Sequence, residues 1–205
     1  MNVFPVYYFP PISWFVAAAQ EEVLLLEANE FYKKQQYFNR MRVMTSNKVL
    51  DLSIPIKKAK ETTIITEREI HYDGKWVHDH WVSLTSAYRS SPYFEYYEDH
   101  FEPFFKNKDT HIFERNLAII KMVLGLLQLD VEVKLTEEFH KTEHYDVDYR
   151  RLISPKSTTS ESWFDPQPYL HVFGESFHPD LSIFDLLCNQ GPASSLYLKQ
   201  CWKPS

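Results

Sequence analysis

The chain has 205 residues, of which 44% are hydrophobic, and its formal net charge is −6. This length fits one domain with a substantial core, whereas the acidic balance argues against general binding to nucleic acid. The four glycines stand at positions 74, 125, 174 and 191, so neither the Rossmann fingerprint nor the Walker phosphate loop is present.

The sequence predicts a soluble cytoplasmic protein. Its first residues, MNVFPVYYFPP, lack the positively charged region and cleavage site of an ordinary signal peptide. No apolar run approaches the ~18 residues of a membrane-spanning helix, so we expect no membrane insertion. Cys188 and Cys201 have no CxxC spacing, and they suit a reducing compartment in which both act as small packing residues.

The N-terminal half predicts strands and one short helix. NVFPVYYF is typical of a strand that ends at two prolines, ISWFVAAAQ of a short helix, and the apolar run EVLLLEA of a buried strand. This β-α-β order suggests two parallel strands joined by a crossover. VLDLSIPI alternates as a half-buried strand does, and TTIITEREIHY, closed by an Asp-Gly turn signal, is a second candidate strand.

Helices dominate the remainder of the chain. Apolar residues recur at helical spacing in WVHDHWVSLTSAY, and again in DTHIFERNLAIIKMVLGLLQ, which starts at a plausible cap at Asp109. VEVKL predicts a short strand, residues 154–168 a long loop, and the tail two short helices broken at Gly191. The fold class is therefore α/β, with a mixed sheet in the N-terminal half and a mainly helical C-terminal half.

Two histidines, His78 and His80, could share a metal ion only if their segment were a strand. On a helix, residues two positions apart point about 200° apart, and the apolar spacing favours a helix, so we predict no metal site. One histidine would then face a cleft while the other caps or packs. Cys188 lies in an apolar run, where packing is favoured over nucleophilic catalysis. Ser-His-Asp or Cys-His arrangements stay open, because their members meet in space and not in sequence.

Polar and aromatic side chains are concentrated in EANEFYKKQQYFNR, residues 27–40. Glu27 closes the buried strand, at the sheet edge where ligands of α/β proteins tend to bind. Lys34, Asn39 and Arg40 could supply donors to an anionic or hydroxyl-rich ligand, and arginine suits bidentate capture of carboxylate or phosphate. The alternative is a solvated loop whose salt bridges contribute little. Interleaved acidic residues make a nucleic-acid patch the least favoured interpretation.

Four stretches, in the right order, resemble the WbqC-like family, close to its Bacteroidetes branch. They are YFPPISWF, EANEFYKKQQYFNR, WVHDHWVSLTSAYRSSPYFEYY and YLHVFGESFHPDLSIFDLLCNQGP. The resemblance covers nearly the full length and implies a single WbqC-like domain over residues 1–205. The chain differs from the branch pattern at Phe31, where the pattern has Asn, at Phe38, where it has Arg, and at Asp180, where it has Asn.

The resemblance also places many polar residues on family positions. They are Glu27, Glu30, Tyr32, Lys34, Gln35, Asn39, Arg40, His80, Ser182, Asp185 and Asn189. Members are often encoded in cell-surface polysaccharide settings, so the resemblance implies a transferase that modifies a nucleotide-activated sugar. Glu27 or His80 would be its general base. The substrate-binding residues would be Tyr32, Lys34, Gln35, Asn39, Arg40, Asp185 and Asn189.

Two other interpretations stay open. One is a non-catalytic accessory protein of a glycan-assembly system, whose aromatic residues stack on sugars or form a partner surface. The other is a structural role for the motifs, in which Asp185 and Asn189 cap helices and bridge loops. Under the preferred interpretation the ligand is an anionic small molecule or activated sugar. The sequence identifies no cofactor, reaction type or oligomeric state.

Overall fold

The computed structural model describes residues 1–46, 48–156, 163–172 and 177–203. The strands are β1 (Val3–Phe4), β2 (Val23–Leu26), β3 (Arg40–Met44), β4 (Val49–Ser53) and β5 (Glu132–Leu135). The α-helices are α1 (Ile12–Ala18), α2 (Trp76–Tyr88), α3 (Phe94–Phe101), α4 (Pro103–Lys106), α5 (Ile112–Leu126), α6 (Tyr149–Leu152), α7 (Ile183–Gln190) and α8 (Ser194–Gln200). Short 3₁₀ turns occupy Tyr37–Asn39, Ile65–Glu67, Thr142–His144 and Gly191–Ala193. The predicted fold class is confirmed, and residues 157–162 of the predicted loop lie outside the described residues.

A parallel sheet has β2 at its centre, with β1 on one side and β5 on the other. The predicted crossover from β1 through α1 to β2 is confirmed. The apolar run of β2 is buried in the core, where Leu24 and Leu26 are inaccessible to solvent. β1 is shorter than predicted because Pro5 has no N–H to continue the ladder.

β3 and β4 form a separate antiparallel pair. The predicted strand TTIITEREIHY is wrong, because this segment contains a 3₁₀ turn and makes only isolated bridges. Its backbone bonds go to different neighbours: the Ile65 N–H donates to the Glu30 carbonyl, and the Ile70 N–H donates to the Thr110 carbonyl, both at 2.9 Å. This arrangement places residues 64–70 between the 27–40 segment and the start of α5.

Helix α2 confirms the predicted spacing and separates the two histidines, since His80 is buried and His78 is exposed. The predicted cap at Asp109 is wrong. Helix α5 begins at Ile112, after His111 in an extended conformation. Asp109 instead accepts a hydrogen bond of 2.7 Å from the buried Arg115.

One hydrophobic core joins side chains from Phe4 to Cys201. The tail forms two helices as predicted, and Gly191 between them has φ of +51°; an added Cβ there would lie 2.4 Å from the Tyr93 ring. Cys188 and Cys201 are both buried and form no disulfide, as expected of packing residues. Within the described residues, no helix combines the length and apolarity needed to cross a membrane.

Candidate functional site

A wide cleft of about 1030 Å³ lies between residues 32–39 and residues 53–61. Its lining comprises residues 32–34, 39, 53–59, 61 and 68, and we call it the basic cleft. Five of the lining side chains are cationic (Lys33, Lys34, Lys57, Lys58 and Arg68), whereas Glu61 is the single acidic one in that lining. The cleft therefore carries a positive charge on a protein whose overall charge is negative.

Hydrogen bonds hold the two sides of the cleft together. The Asn39 side-chain amide donates to the Ile54 carbonyl at 2.8 Å, and the Ile54 N–H donates to the Asn39 carbonyl at 2.8 Å. The Tyr32 hydroxyl donates a longer bond of 3.4 Å to the Asn39 Oδ1 atom. Burial raises the pKa of Tyr32, although Arg68 and Arg40 oppose the shift, so its hydroxyl stays protonated at neutral pH. These contacts fix the wall to which Tyr32 and Asn39 belong.

The lysines of the cleft differ in their partners. Lys33 lies 3.3 Å from Glu30, and Lys57 lies 2.5 Å from Glu69, so each has a carboxylate. Among residues 1–46, 48–156, 163–172 and 177–203, neither Lys34 nor Lys58 takes part in an ion pair. These two ammonium groups are therefore available to an anion from solution.

Arg68 is a buried cleft residue that was not predicted from the sequence. It is only 6% exposed, and its guanidinium carbon lies 4.8 Å from the centre of the Tyr32 ring. Its Nη2 atom donates to the Lys60 carbonyl at 3.3 Å, while Nε is buried without a hydrogen-bond partner in the described structure. No local pattern marked this residue, because its burial depends on Tyr32 and on the path of residues 60–70.

Arg40 and Gln35, both predicted to bind substrate, lie next to the cleft but are absent from its lining. The Arg40 Nη1 atom donates to Asp51 at 3.2 Å across the β3–β4 pair. Gln35 is exposed at a turn with φ of +61°. The structure therefore brings together Tyr32, Lys34 and Asn39, and leaves the other two at the edge.

Glu27 lies in a second charged cluster, formed by Glu27, Thr136, Asp148 and Arg150, which we call the Glu27 cluster. Glu27 is inaccessible to solvent, accepts hydrogen bonds from Thr136 Oγ1 at 2.9 Å and from the Asn29 N–H at 2.7 Å, and is ion-paired with Arg150. Arg150 also donates to both Asp148 oxygens at 2.8 Å. Burial would raise the pKa of Asp148, but hydrogen bonds from Arg150 and Thr142 lower it.

The Glu27 cluster has the position that the sequence predicted, at the carboxyl ends of parallel strands. Glu27 follows β2 and Thr136 follows β5. The chemistry differs from a general base, however, because the Glu27 carboxylate is already engaged by a buried arginine. Its catalytic role stays a prediction, and its contacts are those of a structural ion pair.

His80, the other predicted base, does not belong to the lining of the cleft. It is 5% exposed, and its Nδ1 atom has no hydrogen-bond partner in the described structure. Burial lowers the pKa of His80 from 6.5 to about 4, with a further contribution from Arg115, while a hydrogen bond with the Ser53 backbone opposes the shift. The imidazole is therefore neutral at pH 7, and its hydrogen bond to the backbone of Ser53 connects it to a residue of the cleft lining.

Asp185 and Asn189 lie in a third group, the Asp185 network, with Tyr88, Tyr169 and His171. The hydroxyls of Tyr88 and Tyr169 each donate to Asp185 at 2.6 Å, and the Asn189 amide donates to the Asp185 carbonyl at 2.9 Å. His171 Nδ1 is 3.2 Å from Asp185 Oδ1, but without hydrogen-bond geometry. Burial, reinforced by Asp185, raises the pKa of both tyrosines, which keeps them as donors.

These contacts fit the structural alternative for Asp185 and Asn189. The network joins α2, α7 and the segment around residue 169, and neither residue lines the basic cleft. Ser182 also has a structural contact, since its hydroxyl caps α7 by accepting the Phe184 N–H and donates to the Phe9 carbonyl. Substrate binding by Asp185 and Asn189 stays a prediction.

The three departures from the branch pattern have different environments. Phe31 is 54% exposed and forms a bridge with Ile64, whereas Phe38 is 5% exposed and packs 5.5 Å from the Tyr32 ring. Phe38 therefore supports the cleft wall from behind. Asp180 has φ of +61° and accepts hydrogen bonds from the N–H and hydroxyl of Ser13. Burial raises the pKa of Asp180 to about 6.

Comparisons with known proteins agree with the resemblance in the sequence. The model of the WbqC-like protein family matches residues 6–158, a range that includes the whole basic cleft and the Glu27 cluster. An uncharacterized protein of Mycobacterium tuberculosis (strain ATCC 25618 / H37Rv), Rv1507c, is 24% identical over 221 residues, covering 95% of each chain. No solved structure matches the chain significantly. Since the family match spans most of its length, the chain belongs to the WbqC-like protein family.

Proposed function

We propose that this protein binds an anionic small molecule, such as a nucleotide-activated sugar, in the basic cleft and acts on it as a transferase of cell-surface polysaccharide biosynthesis. The observation that carries the proposal is the excess of cations over carboxylates in a cleft of about 1030 Å³. Sites for small ligands and cofactors commonly occupy roughly 300–1,000 Å³. The family membership supplies the polysaccharide setting, which the resemblance implies.

Each part of the ligand has a candidate partner in the lining. Lys34 and Lys58 come from the two different sides of the cleft and would bind phosphoryl oxygens as mobile point charges. Tyr32 presents a half-buried ring and a hydroxyl, which suits contact with a sugar or base. Asn39 is held by Ile54 and so keeps Tyr32 in place.

A panel of nucleotide sugars tests the proposal. The purified protein is titrated with each compound, binding is measured by calorimetry and thermal shift, and products are sought by mass spectrometry. In the Lys34→Ala/Lys58→Ala double variant, we expect affinity for the bound compound to fall by about tenfold or more, which corresponds to ~1.4 kcal/mol. The fall should become smaller at high salt, because exposed charges are screened.

Lys121→Ala is the matched control, because Lys121 is an exposed lysine on α5, outside the cleft. Its affinity should equal that of the wild type. If no nucleotide sugar shifts the melting temperature at millimolar concentration, or if the double variant binds as tightly as the wild type, the proposed site is wrong.

A second candidate function is binding without catalysis, as an accessory protein of a glycan-assembly system. The observation that favours it is the position of the two predicted bases, since neither Glu27 nor His80 lines the cleft. A general base must come within about 2.6–3.2 Å of the proton that it removes. Tight binding of a nucleotide sugar with no product after prolonged incubation, together with recovery of one stoichiometric protein partner, would support this function over the transferase.

A further inference from the structure

The charge of Arg68 is the least compensated buried charge in the basic cleft. The residue is 6% exposed, yet it takes part in no ion pair with any described residue. Its neutral contacts are one long hydrogen bond to the Lys60 carbonyl, at 3.3 Å, and the face of Tyr32. Nε, also buried, has no partner in the described structure.

Burying such a charged side chain is unfavourable unless an opposite charge or further hydrogen bonds compensate it. Removing a cation from water is costly when no opposite charge and few hydrogen bonds replace the lost hydration. Stacking on an aromatic ring recovers only about 0.5–2 kcal/mol. The neighbours make the cost larger, because the lining of the same cleft holds Lys34 and Lys58 without carboxylate partners.

We propose that Arg68 is the anchor for a phosphoryl group in the basic cleft, and that the cleft recognises a diphosphate. This inference rests on the proposed function, since it names the part of the anionic ligand that is bound and the residue that holds it. An arginine fork can bond two phosphoryl oxygens at once, and the contact of 4.8 Å with the Tyr32 ring holds the guanidinium of Arg68 at the cleft wall.

The number of charges favours a diphosphate over a single carboxylate. One carboxylate would compensate the charge of Arg68 but would leave the charges of Lys34 and Lys58 uncompensated. Two linked phosphoryl groups carry at least two negative charges, so they compensate more of these three cations than one carboxylate does, and their spread suits cations that come from both sides of the cleft. The diphosphate can belong to a nucleotide sugar or to another diphosphate ester, and Arg68 recognises the feature that these compounds share.

Calorimetric titration with inorganic pyrophosphate, at constant ionic strength, tests the assignment. The full chain is compared with Arg68→Gln, which keeps a polar side chain of moderate length but removes the charge. We expect Arg68→Gln to weaken pyrophosphate binding by about tenfold or more. Arg89→Gln is the matched control, because Arg89 is exposed and pairs with Glu98 on a different surface, and its affinity should stay within about twofold.

The melting temperature without ligand separates an anion anchor from a structural support. For an anchor, Arg68→Gln melts at or above the wild-type temperature at low salt, because a buried unpaired charge has been removed. Pyrophosphate then raises the melting temperature of the wild type more than that of the variant. A lower melting temperature with unchanged affinity for pyrophosphate would overturn the assignment and make Arg68 a purely structural residue.

Arg68→Lys covers the case in which the glutamine variant does not fold. It keeps the charge and loses the planar fork, so we expect weaker binding than in the wild type; unchanged affinity would overturn the anchor role.

Different results would contradict the proposed function and the assignment of Arg68. If Lys34→Ala/Lys58→Ala loses pyrophosphate while Arg68→Gln retains it, the cleft stands and the Arg68 assignment is wrong. If the wild type binds neither pyrophosphate nor any nucleotide sugar, both proposals are wrong.

Discussion

The Glu27 cluster and the basic cleft both include residues of the 27–40 segment, but their charges are arranged in opposite ways. In the cluster, Arg150 lies between two carboxylates, those of Glu27 and Asp148, and all three are buried. In the cleft, five cations line the same space as one carboxylate. Polar residues of one motif therefore divide between a group whose charges compensate one another and a group that includes cations without a carboxylate partner among the described residues.

The difference leads to different expectations for mutation. Where charges already compensate one another, removing one partner leaves the rest buried and unpaired, so stability falls. Where they do not, removing a cation relieves repulsion and leaves the fold intact, so ligand binding falls instead. Single substitutions can test this division through the free energy of unfolding, and the largest change is expected in the Glu27 cluster.

Arg150→Ala should produce the largest loss. It leaves Glu27 and Asp148 buried without their cation, and we expect the free energy of unfolding to fall by about 3–5 kcal/mol at pH 7. Urea unfolding followed by circular dichroism measures it. The neighbouring Arg151→Ala is the control, because Arg151 is exposed, and it should change stability by no more than about 0.5 kcal/mol. Equal effects of the two variants would show that the cluster does not stabilise the fold.

Tyr88→Phe extends the comparison to the Asp185 network. The Tyr88 hydroxyl donates to Asp185 and accepts the Met44 N–H at 3.0 Å, so both partners lose a bond in the buried interior. We expect a loss of about 2–3 kcal/mol, since bonds to charged groups are the stronger ones. Tyr96→Phe, at an exposed tyrosine, should change nothing measurable.

Binding measurements on the same variant examine the predicted role of Asp185. If the network is structural, folded Tyr88→Phe binds nucleotide sugars as the wild type does. Weaker binding by a variant of unchanged stability would instead support the substrate-binding role that the sequence predicts for Asp185 and Asn189.

Local sequence patterns correctly predicted those strands and helices whose formation depends mainly on residues near one another in the sequence. The apolar run before Glu27 and the helical spacing after Trp76 were sufficient to predict β2 and α2. TTIITEREIHY failed because its strand-favouring residues find no continuous partner strand, and tertiary contacts override β propensity.

Local sequence patterns likewise predicted only part of the site. Tyr32, Lys34 and Asn39 come from one short segment, so a sequence motif could place them together. Arg68 is brought to Tyr32 by the fold, and nothing within its own segment indicates burial. The Lys57–Lys58 pair was the available signal for the second wall, since this charge run directly follows the predicted strand VLDLSIPI. Asp185 also stands on a position of the family pattern, but it does not line the cleft.

The pH dependence of stability tests whether the buried imidazole of His80 is neutral in the folded protein. Its pKa falls from 6.5 to about 4 on folding because burial disfavours the charged form. Its contribution to stability is therefore complete above pH 6.5 and is lost as the pH falls towards 4. We expect this group to remove about 2 kcal/mol between pH 7 and pH 5, measured as the difference between wild type and His80→Gln in urea unfolding. Parallel pH profiles for the two proteins would contradict the neutral, buried imidazole.

Asp180→Asn should have the smallest effect and the opposite sign. The pKa of Asp180 rises from 3.8 to about 6 on folding, so its stabilising contribution is complete below pH 3.8 and is lost as the pH rises through 6. Asparagine retains an acceptor for the Ser13 N–H and tolerates the left-handed backbone. The full shift would correspond to about 3 kcal/mol, but Asp180 is only partly buried, so solvent screens part of it. We therefore expect the variant to be about 1–2 kcal/mol more stable than the wild type at pH 7.5, with the difference vanishing near pH 4. A constant difference at all pH values would mean that backbone preference, and not the partly buried charge, separates the two residues.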